Sequence, residues 1–471
     1  MKKNILLTKV FLKVKNIKKE LEAFGFIIFS TSLIFLVITI SPQLLSEIQP
    51  DSNDYIINNG TRKSLYALIH ILFEKLEFDL IFAQKLILSF SITFLYYALR
   101  KNEINLLLGL IYVIAIISNI YYTSYSKTIL TESLFFSFIN LGAGMILLYT
   151  KNNKIFFFLS GIIFGSIIAI KSVGPAISIP FLFISFYLSM KKKDIKSFLV
   201  VLSGVLLIII IESSYFYSKN SHRDSVFPAV ILGKVFIISG SDNFDIDNFP
   251  EYSKEILEES SETFKKVNKF LNKITNPILK ADLAADYEVI AQYQFLRSIK
   301  SSDNLVKKFQ SDTNNLLLIV IRNNFLDYLK ISFTHYLGMW STGAKFIFLD
   351  NNITQIPLAS ELNNASGPMN LPNLKILIVA QIFFLFLLSA LTFLSFIILM
   401  NIFFKKKEVN LFLIFFVSLI QTYILAVSFT NIATIRYLMP VYPLIIISII
   451  IFINNQFFKT NKKEEISNDS I

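Results

Sequence analysis

Leu374–Phe404 reads LKILIVAQIFFLFLLSALTFLSFIILMNIFF, with Lys375 as its one charged residue, and Lys405-Lys406-Lys407 follow at once. An α-helix rises about 1.5 Å per residue and needs about 20 apolar residues to cross a hydrocarbon core of roughly 30 Å. This stretch is long enough to cross with residues to spare. The lysines after it mark the cytoplasmic end of such a helix. The whole chain repeats the pattern. Its 471 residues are 54% hydrophobic and 17% charged, with a mean hydropathy of +0.58, whereas soluble domains carry about 25% charged residues. The sequence predicts an all-α polytopic membrane protein.

The basic clusters lie between apolar runs: Lys2 to Lys19, Arg100-Lys101, Lys151 with Lys154, Lys191-Lys192-Lys193, Lys405-Lys406-Lys407, and Lys459 to Lys463. With every cluster inside, the runs alternate outward and inward as Phe24–Leu45, Leu80–Leu99, Leu106–Tyr122, Ile129–Tyr149, Ile155–Ile170, Val173–Met190, Phe198–Tyr217, Leu374–Phe404, Leu411–Phe429 and Tyr437–Phe457. About ten spans are expected, with both termini cytoplasmic. The first run is too long for a signal-peptide core and no small-residue cleavage site follows it, so it is expected to be a span. Three regions follow: an N-terminal membrane module, 1–217, with a first outer loop at 46–79; an extracytoplasmic, mainly helical segment, 218–373; and a C-terminal membrane module with its tail, 374–471.

Within the outer segment, Glu251–Ile274 and Ala281–Phe309 carry apolar residues at helical spacing. Asn314–Trp340 is apolar enough to lie along a membrane surface. Counting it as a further span would turn Lys405–Lys407 outward, so it is not counted. Ser341–Pro372, rich in Asn, Ser, Gly and Pro, reads as loop. No internal repeat is visible.

Composition removes several chemistries. There is no Cys, hence no disulfide, thiolate ligand or cysteine nucleophile. His70, His222 and His335 are widely separated and form no ligand pair at helical spacing. Neither GxGxxG nor GxxxxGK[ST] occurs. The net charge of +12 sits in the short inter-span clusters rather than in a nucleic-acid-binding stripe, so no nucleic-acid partner is expected.

The charges that topology leaves unexplained fall at the outer ends of spans. Asp51 and Asp54 lie in Pro50-Asp51-Ser52-Asn53-Asp54-Tyr55, after the first span. Glu132 opens the fourth, Lys171 lies between the fifth and sixth, and Arg436 opens the last. Each has an ordinary structural role open to it. The aspartates can cap a surface helix, Glu132 can complement a helix N-terminus, Lys171 can snorkel, and Arg436 can meet a lipid phosphate. Their common depth favours a shared site. Lys85 reads as a snorkelling residue, and Glu212 stays open between the two roles.

With no nucleotide cradle, a donor used at the outer face is expected to arrive on a membrane carrier, and a sugar on polyprenyl phosphate fits. An Asp there can take a proton from an acceptor hydroxyl in an inverting displacement. Arg436 can fork onto the leaving phosphate and Lys171 can add a point charge. Glu132 can orient the acceptor. A divalent cation (Mg or Mn), if one is used, would be held by Asp51, Asp54 or Glu132.

Four stretches, in order, resemble the GT-C superfamily of membrane glycosyltransferases, which includes the protein mannosyltransferases and the lipid A aminoarabinose transferases. Pro50–Tyr55 is similar to the acidic motif of the first outer loop. Leu130-Thr131-Glu132-Ser133-Leu134-Phe135 is similar to the acid-bearing start of the fourth span. Gly161-Ile162-Ile163-Phe164-Gly165, running on to Lys171-Ser172-Val173-Gly174-Pro175, resembles a fifth-span pattern that often ends in Arg-Pro. Arg436-Tyr437-Leu438-Met439-Pro440-Val441-Tyr442-Pro443 resembles the closing Arg-Tyr-Leu-x-Pro motif.

The resemblance implies Asp51 as the base, a polyprenyl-phosphate sugar donor, an extracytoplasmic active site and a bacterial cytoplasmic membrane. Tyr55, Tyr437 and Lys127 stand as supporting residues, and the acceptor is a glycan, lipid or protein. The first motif here is Asp-Ser-Asn-Asp rather than an Asp-Glu pair, which leaves Asp51 and Asp54 as alternatives. The competing readings are an O-antigen-type polysaccharide polymerase or ligase, which would lean on Arg and His in large outer loops, and a lipid-linked glycan flippase, which would place charges near the midplane.

Overall fold

The computed structural model describes residues 22, 24–49, 51–57, 63–149, 153–218, 227–292, 303–349, 356–364, 374–404, 410–431 and 434–458. The basic clusters at Lys2–Lys19, Lys405–Lys407 and Lys459–Lys463 lie outside them, as do Lys151, Pro50, His222 and the side chain of Asp54.

The described residues are almost entirely helical. The first membrane module contains α1 (Phe24–Ile40), α2 (Ser52–Ile57), α3 (Leu65–Lys75), α4 (Leu80–Lys101), α5 (Leu106–Ser118), α6 (Ile120–Ser124), α7 (Glu132–Leu148), α8 (Lys154–Ile170), α9 (Pro175–Lys191) and α10 (Ile195–Ser218). The segment 218–373, the outer segment of the expected topology, holds α11 (Phe227–Ser239), α12 (Glu251–Lys273), α13 (Pro277–Ile290), α14 (Asp303–Ser311), α15 (Thr313–Asn323), α16 (Phe325–Gly338), α17 (Lys345–Phe348) and α18 (Ala359–Asn364). The chain closes with α19 (Leu374–Phe404), α20 (Leu411–Thr430), α21 (Ile435–Leu438) and α22 (Tyr442–Ile453).

Five helical stretches are long and apolar enough to cross a bilayer: α4, α10, α19, α20 and Ile435–Phe458. The bent pair beginning at α5 makes a sixth if it is one span rather than a re-entrant loop. Phe24–Ile40, α7, α8 and α9 are shorter apolar helices. By length and composition the protein is a helical, polytopic membrane protein. α10 and α19 leave much of their apolar surface uncovered, with Ile210, Phe386 and Phe396 each more than half exposed. Such faces are stable against lipid chains, which are as apolar as the side chains themselves.

The expected third span, Leu106–Tyr122, is broken. The chain bends by 60° where Asn119 interrupts it. Asn119 takes an extended conformation and its side-chain oxygen accepts from the Tyr122 amide, starting a new helix. The expected fourth span starts three residues late, at Glu132, because Thr128 is extended and Ile129–Thr131 form a turn.

Two ends of the bundle are distinguishable. Asn102 donates to the Leu147 carbonyl (3.0 Å), the Asn105 amide donates to Asn454 (2.9 Å), and the Tyr149 and Ser189 hydroxyls meet at 2.8 Å. These contacts gather the C-terminal ends of α4, α7, α9 and the last span, together with Arg100, Lys101 and Lys191–Lys193. The opposite end gathers the N-termini of α7 and α21 and the C-terminus of α8. Glycines set the packing between α8 and α10. A β-carbon on Gly161 would stand 2.0 Å from the Val201 carbonyl oxygen, and one on Gly204 2.5 Å from that of Phe158. Only small residues allow two helix backbones to approach so closely.

The outer segment has its own core, built from Leu232, Phe236, Phe264, Leu283, Tyr287 and Leu316 among others. α12 follows the expected Glu251–Ile274 helix. The expected Ala281–Phe309 helix is two helices, α13 and α14, with 293–302 outside the described residues. Asn314–Trp340 is likewise two helices, α15 and α16, divided at Asn324. α16 packs against α20, where Tyr328 donates to the Phe429 carbonyl (2.6 Å) and Tyr336 to Gln421 (3.0 Å). The expected loop Ser341–Pro372 contains the short helices α17 and α18.

Candidate functional site

Asp51, Glu132, Lys171 and Arg436 come together at one end of the bundle. Arg436 is the hub. Its Nη1 donates to Asp51 Oδ2 at 2.7 Å, and its Nε donates to Glu132 Oε1. Lys171 Nζ donates to the same Glu132 oxygen at 2.5 Å. Two carboxylates and two cations thus form a charge-balanced chain, Asp51–Arg436–Glu132–Lys171. It is graded in depth. Asp51 and Arg436 keep 28% and 25% of their side chains exposed, while Glu132 is fully buried and Lys171 is 9% exposed. A ligand arriving from the surface meets Asp51 and Arg436 first.

Local structure explains each placement. After α1 the chain runs beside the loop between α6 and α7. The Leu44 amide donates to Ser124 Oγ (2.9 Å), the Ile129 amide to the Glu47 carbonyl (2.9 Å), and Ser52 Oγ to the Ile129 carbonyl (2.8 Å). Ser52 Oγ also accepts from the Gln49 amide at 2.8 Å. This zipper carries Asp51 to the N-terminus of α7, three residues from Ile129. Gln84 extends the anchoring, donating to the Thr128 carbonyl (3.0 Å) and accepting from Tyr66 (3.3 Å).

Glu132 occupies the first turn of α7, where unpaired amides favour a carboxylate. Its second oxygen accepts from Thr131 Oγ1 at 3.3 Å. Lys171 ends α8 in an extended conformation, and its carbonyl accepts from the Gly174 amide (2.9 Å), closing a tight turn into Pro175, which opens α9. A β-carbon on Gly174 would stand 1.9 Å from the Ile167 carbonyl oxygen, so the turn requires glycine. The Lys171 ammonium lies 5.5 Å from the Phe135 ring centre and 5.2 Å from that of Tyr437, which adds cation–π attraction. Arg436 lies in the one-turn α21. Pro440 and Pro443 sit at the starts of the next two helical pieces, so the last span is assembled from short segments.

The other candidates divide. Tyr437 reaches the site through Lys171. Tyr55 is buried and packs edge-on against Tyr66 at 5.6 Å. Lys127 turns away, donating to the Thr39 carbonyl (3.3 Å) and to that of Ser41. It therefore caps the C-terminal end of α1. Asp54 has helical backbone within α2, with its side chain outside the described residues. Glu212 accepts from the Ser64 amide at 3.0 Å and so supports the start of α3. Ser52, Gln84 and Tyr66 were not singled out in the sequence. Ser52 alone had a signal, its place inside the acidic motif.

Among the described residues, Glu132 faces the Lys171 and Arg436 cations and Asp51 faces Arg436, which a metal ion held there would have to displace. Among the described residues no group of three or more His, Asp or Glu side chains converges.

A second buried charge cluster lies in the outer segment. Glu288 holds Lys234 at 3.0 Å and His335 Nε2 at 3.0 Å, and Lys234 also reaches His335 Nδ1 and the Asn431 carbonyl (3.2 Å). Burial, and then the Lys234 charge, hold the His335 pKa well below its ordinary value. His335 Nδ1 thus faces the Lys234 ammonium, and Nε2 lies 3.0 Å from a Glu288 oxygen. The sequence reading set His335 aside. Its partners, more than 40 residues away in the chain, could not be read from spacing.

Comparison of the chain with known protein families, with curated proteins and with solved structures finds no match.

Proposed function

We propose that this protein is a GT-C-type glycosyltransferase that moves a sugar from a polyprenyl-phosphate donor to an acceptor at the outer face of a bacterial cytoplasmic membrane. The observation that carries this reading is the chain Asp51–Arg436–Glu132–Lys171, in which a solvent-reachable carboxylate and a forked cation share one end of a membrane bundle. In this reading the ten apolar helices are ten spans, both termini are cytoplasmic, and the quartet faces outward.

The geometry suggests how such a site would work. Arg436 is already satisfied by two carboxylates, of which Asp51 is the more exposed. A donor phosphate reaching Arg436 would compete with Asp51 for the guanidinium, and a charge-assisted fork onto phosphate is strong enough to do so. Asp51, exchanged off Arg436, would accept the acceptor hydroxyl's proton as that oxygen attacks the anomeric carbon. The bond from that carbon to the phosphate oxygen breaks, and the electron pair leaves on the phosphate. Arg436 stabilises the departing charge. Glu132 would then hold Arg436 and Lys171 in place rather than act on the acceptor. Donor binding and base release become one event, so Asp51 is not exposed to wasteful reaction without donor.

The test is transfer from a short-chain polyprenyl-phosphate sugar by the purified protein, compared with Asp51→Asn. Loss of transfer with an unchanged melting temperature supports the reading; full activity in Asp51→Asn sinks it. Because the chain has no Cys of its own, single cysteines at Ser46 and Lys192 test the orientation. Ser46→Cys should label from outside and Lys192→Cys only after permeabilisation.

A further inference from the structure

We propose that a cleft in the outer segment, separate from the Asp51–Arg436 site, binds an anionic, sugar-sized ligand bearing a phosphate or carboxylate group. The cleft has a volume of about 630 Å³ and lies between the end of α11, the second half of α12, α13 and α16. Binding sites for small molecules run from about 300 to 1,000 Å³.

Lys265, Lys269, Lys280 and Lys330 line it, against Asp242 and Asp327. Positive charge is in excess by two. Among the described residues none of these six side chains forms an ion pair. On the same helix, Lys254 and Lys266 each pair with a glutamate of α12. Among the described residues, the Lys280 ammonium donates to the Asn272 side-chain oxygen at 3.1 Å. Burial, and then the charge of Lys330, lower its pKa, as expected for like charges crowded without a counter-ion.

The rest of the lining suits a hydroxylated ligand. Asn268, Asn272 and Thr334 offer amide and hydroxyl groups, and Tyr287 offers a ring edge. The Ser241 hydroxyl oxygen is buried and has no hydrogen-bond partner among the described residues. Buried hydroxyls are seldom left in that state, and a ligand hydroxyl would satisfy it. Lysines spread around a polar cleft read an anion as point charges, which suits a charged sugar better than a flat, apolar molecule.

The proposal goes beyond transfer and does not depend on it, because binding is read without a reaction.

The experiment measures binding of glucose 6-phosphate, glucose and inorganic phosphate to the full chain in phosphatidylcholine nanodiscs by titration calorimetry. Glucose 6-phosphate should bind, glucose should not, and inorganic phosphate should bind at least tenfold more weakly. Lys280→Gln/Lys330→Gln should weaken glucose 6-phosphate at least tenfold, and so should Lys265→Gln/Lys269→Gln, whose residues are exposed and whose fold is checked by melting. Asp51→Asn should leave binding unchanged, which separates this site from the first. Unchanged binding in both lysine variants, or no binding of glucose 6-phosphate, overturns the proposal. Equal binding of inorganic phosphate overturns the sugar component. Competition by phosphatidylglycerol in the nanodisc assigns the cleft to lipid headgroups and overturns it as well.

Discussion

Arg436 Nη1 and Asp51 Oδ2 are 2.7 Å apart across 385 positions of chain. The pair joins the loop after the first helix to the start of the last span, so the bundle's two ends in sequence are closed on each other at this point. Glu132 receives the other edge of the same guanidinium. One planar, five-donor group spans two carboxylates in a fixed fork, a geometry that a lysine's single ammonium does not reproduce.

Arg436→Lys should therefore fail where charge alone would suffice. A lysine offers Asp51 and Glu132 one point charge in place of two edges of a rigid fork. The expected result is a fall in kcat/KM for a polyprenyl-phosphate sugar on the order of tenfold or more, with Arg436→Ala lower still and the donor KM raised. An unchanged donor KM in both variants would remove the phosphate role from Arg436.

Asp51→Asn keeps the shape and a hydrogen-bonding oxygen for Arg436 but loses the base. Rate should drop by about 10²–10⁴ with little change in melting temperature, since Asp51 is partly exposed. Transfer kinetics and thermal melting of the same preparation check this together.

Glu132→Gln should act through stability. Glu132 is fully buried and faces two cations. Breaking a buried pair by removing one partner costs about 3–5 kcal/mol because the other charge is left uncompensated. The double variant Glu132→Gln/Lys171→Met removes one of the stranded charges and should recover part of the loss. Melting in detergent reads both, and a single variant as stable as the double would contradict the assignment.

Gly174→Ala forces a methyl group against the Ile167 carbonyl oxygen at 1.9 Å. The Lys171–Pro175 turn must then open, which moves the Lys171 ammonium from Glu132. Overpacking typically costs about 1–3 kcal/mol, and this contact is with backbone, which gives way less than a side chain. Lower melting temperature together with lost transfer is expected. Wild-type behaviour would show that the turn tolerates displacement.

The outer segment should weaken as pH rises. Asp282 accepts from the backbone amides of Gly343 (3.2 Å) and Lys345 (2.7 Å), and Asp286 accepts from Lys345 Nζ (2.6 Å). Burial and then the neighbouring Asp286 raise Asp282, and burial raises Asp286. The folded state thus binds more protons than the unfolded one above the ordinary aspartate value of about 4. Its stabilisation is present at lower pH and is lost as pH climbs from there through neutrality. Melting as a function of pH should show this slope, and Asp282→Asn should flatten it. The same slope in Asp282→Asn and Asp286→Asn would place its origin elsewhere.

The sequence by itself determined the membrane class, the positions of most apolar helices and the identity of the four charged residues. Those properties are local or compositional. An apolar run such as Leu374–Phe404 has one stable answer in lipid, and a charge at a span's end stands out against its surroundings. What only the tertiary structure decided is who meets whom. Lys127 and Lys171 look alike in sequence, yet one donates to the carbonyls that end α1 and the other holds Glu132. Asn119 reads as a polar residue inside a span and becomes a 60° break, because its side chain caps the next turn. His335 has no sequence partner and gains two through the folding of α11 and α13 around it. Arg436 could be placed at a depth from the sequence. That it stands between Asp51 and Glu132 depends on long-range packing, which no local pattern encodes.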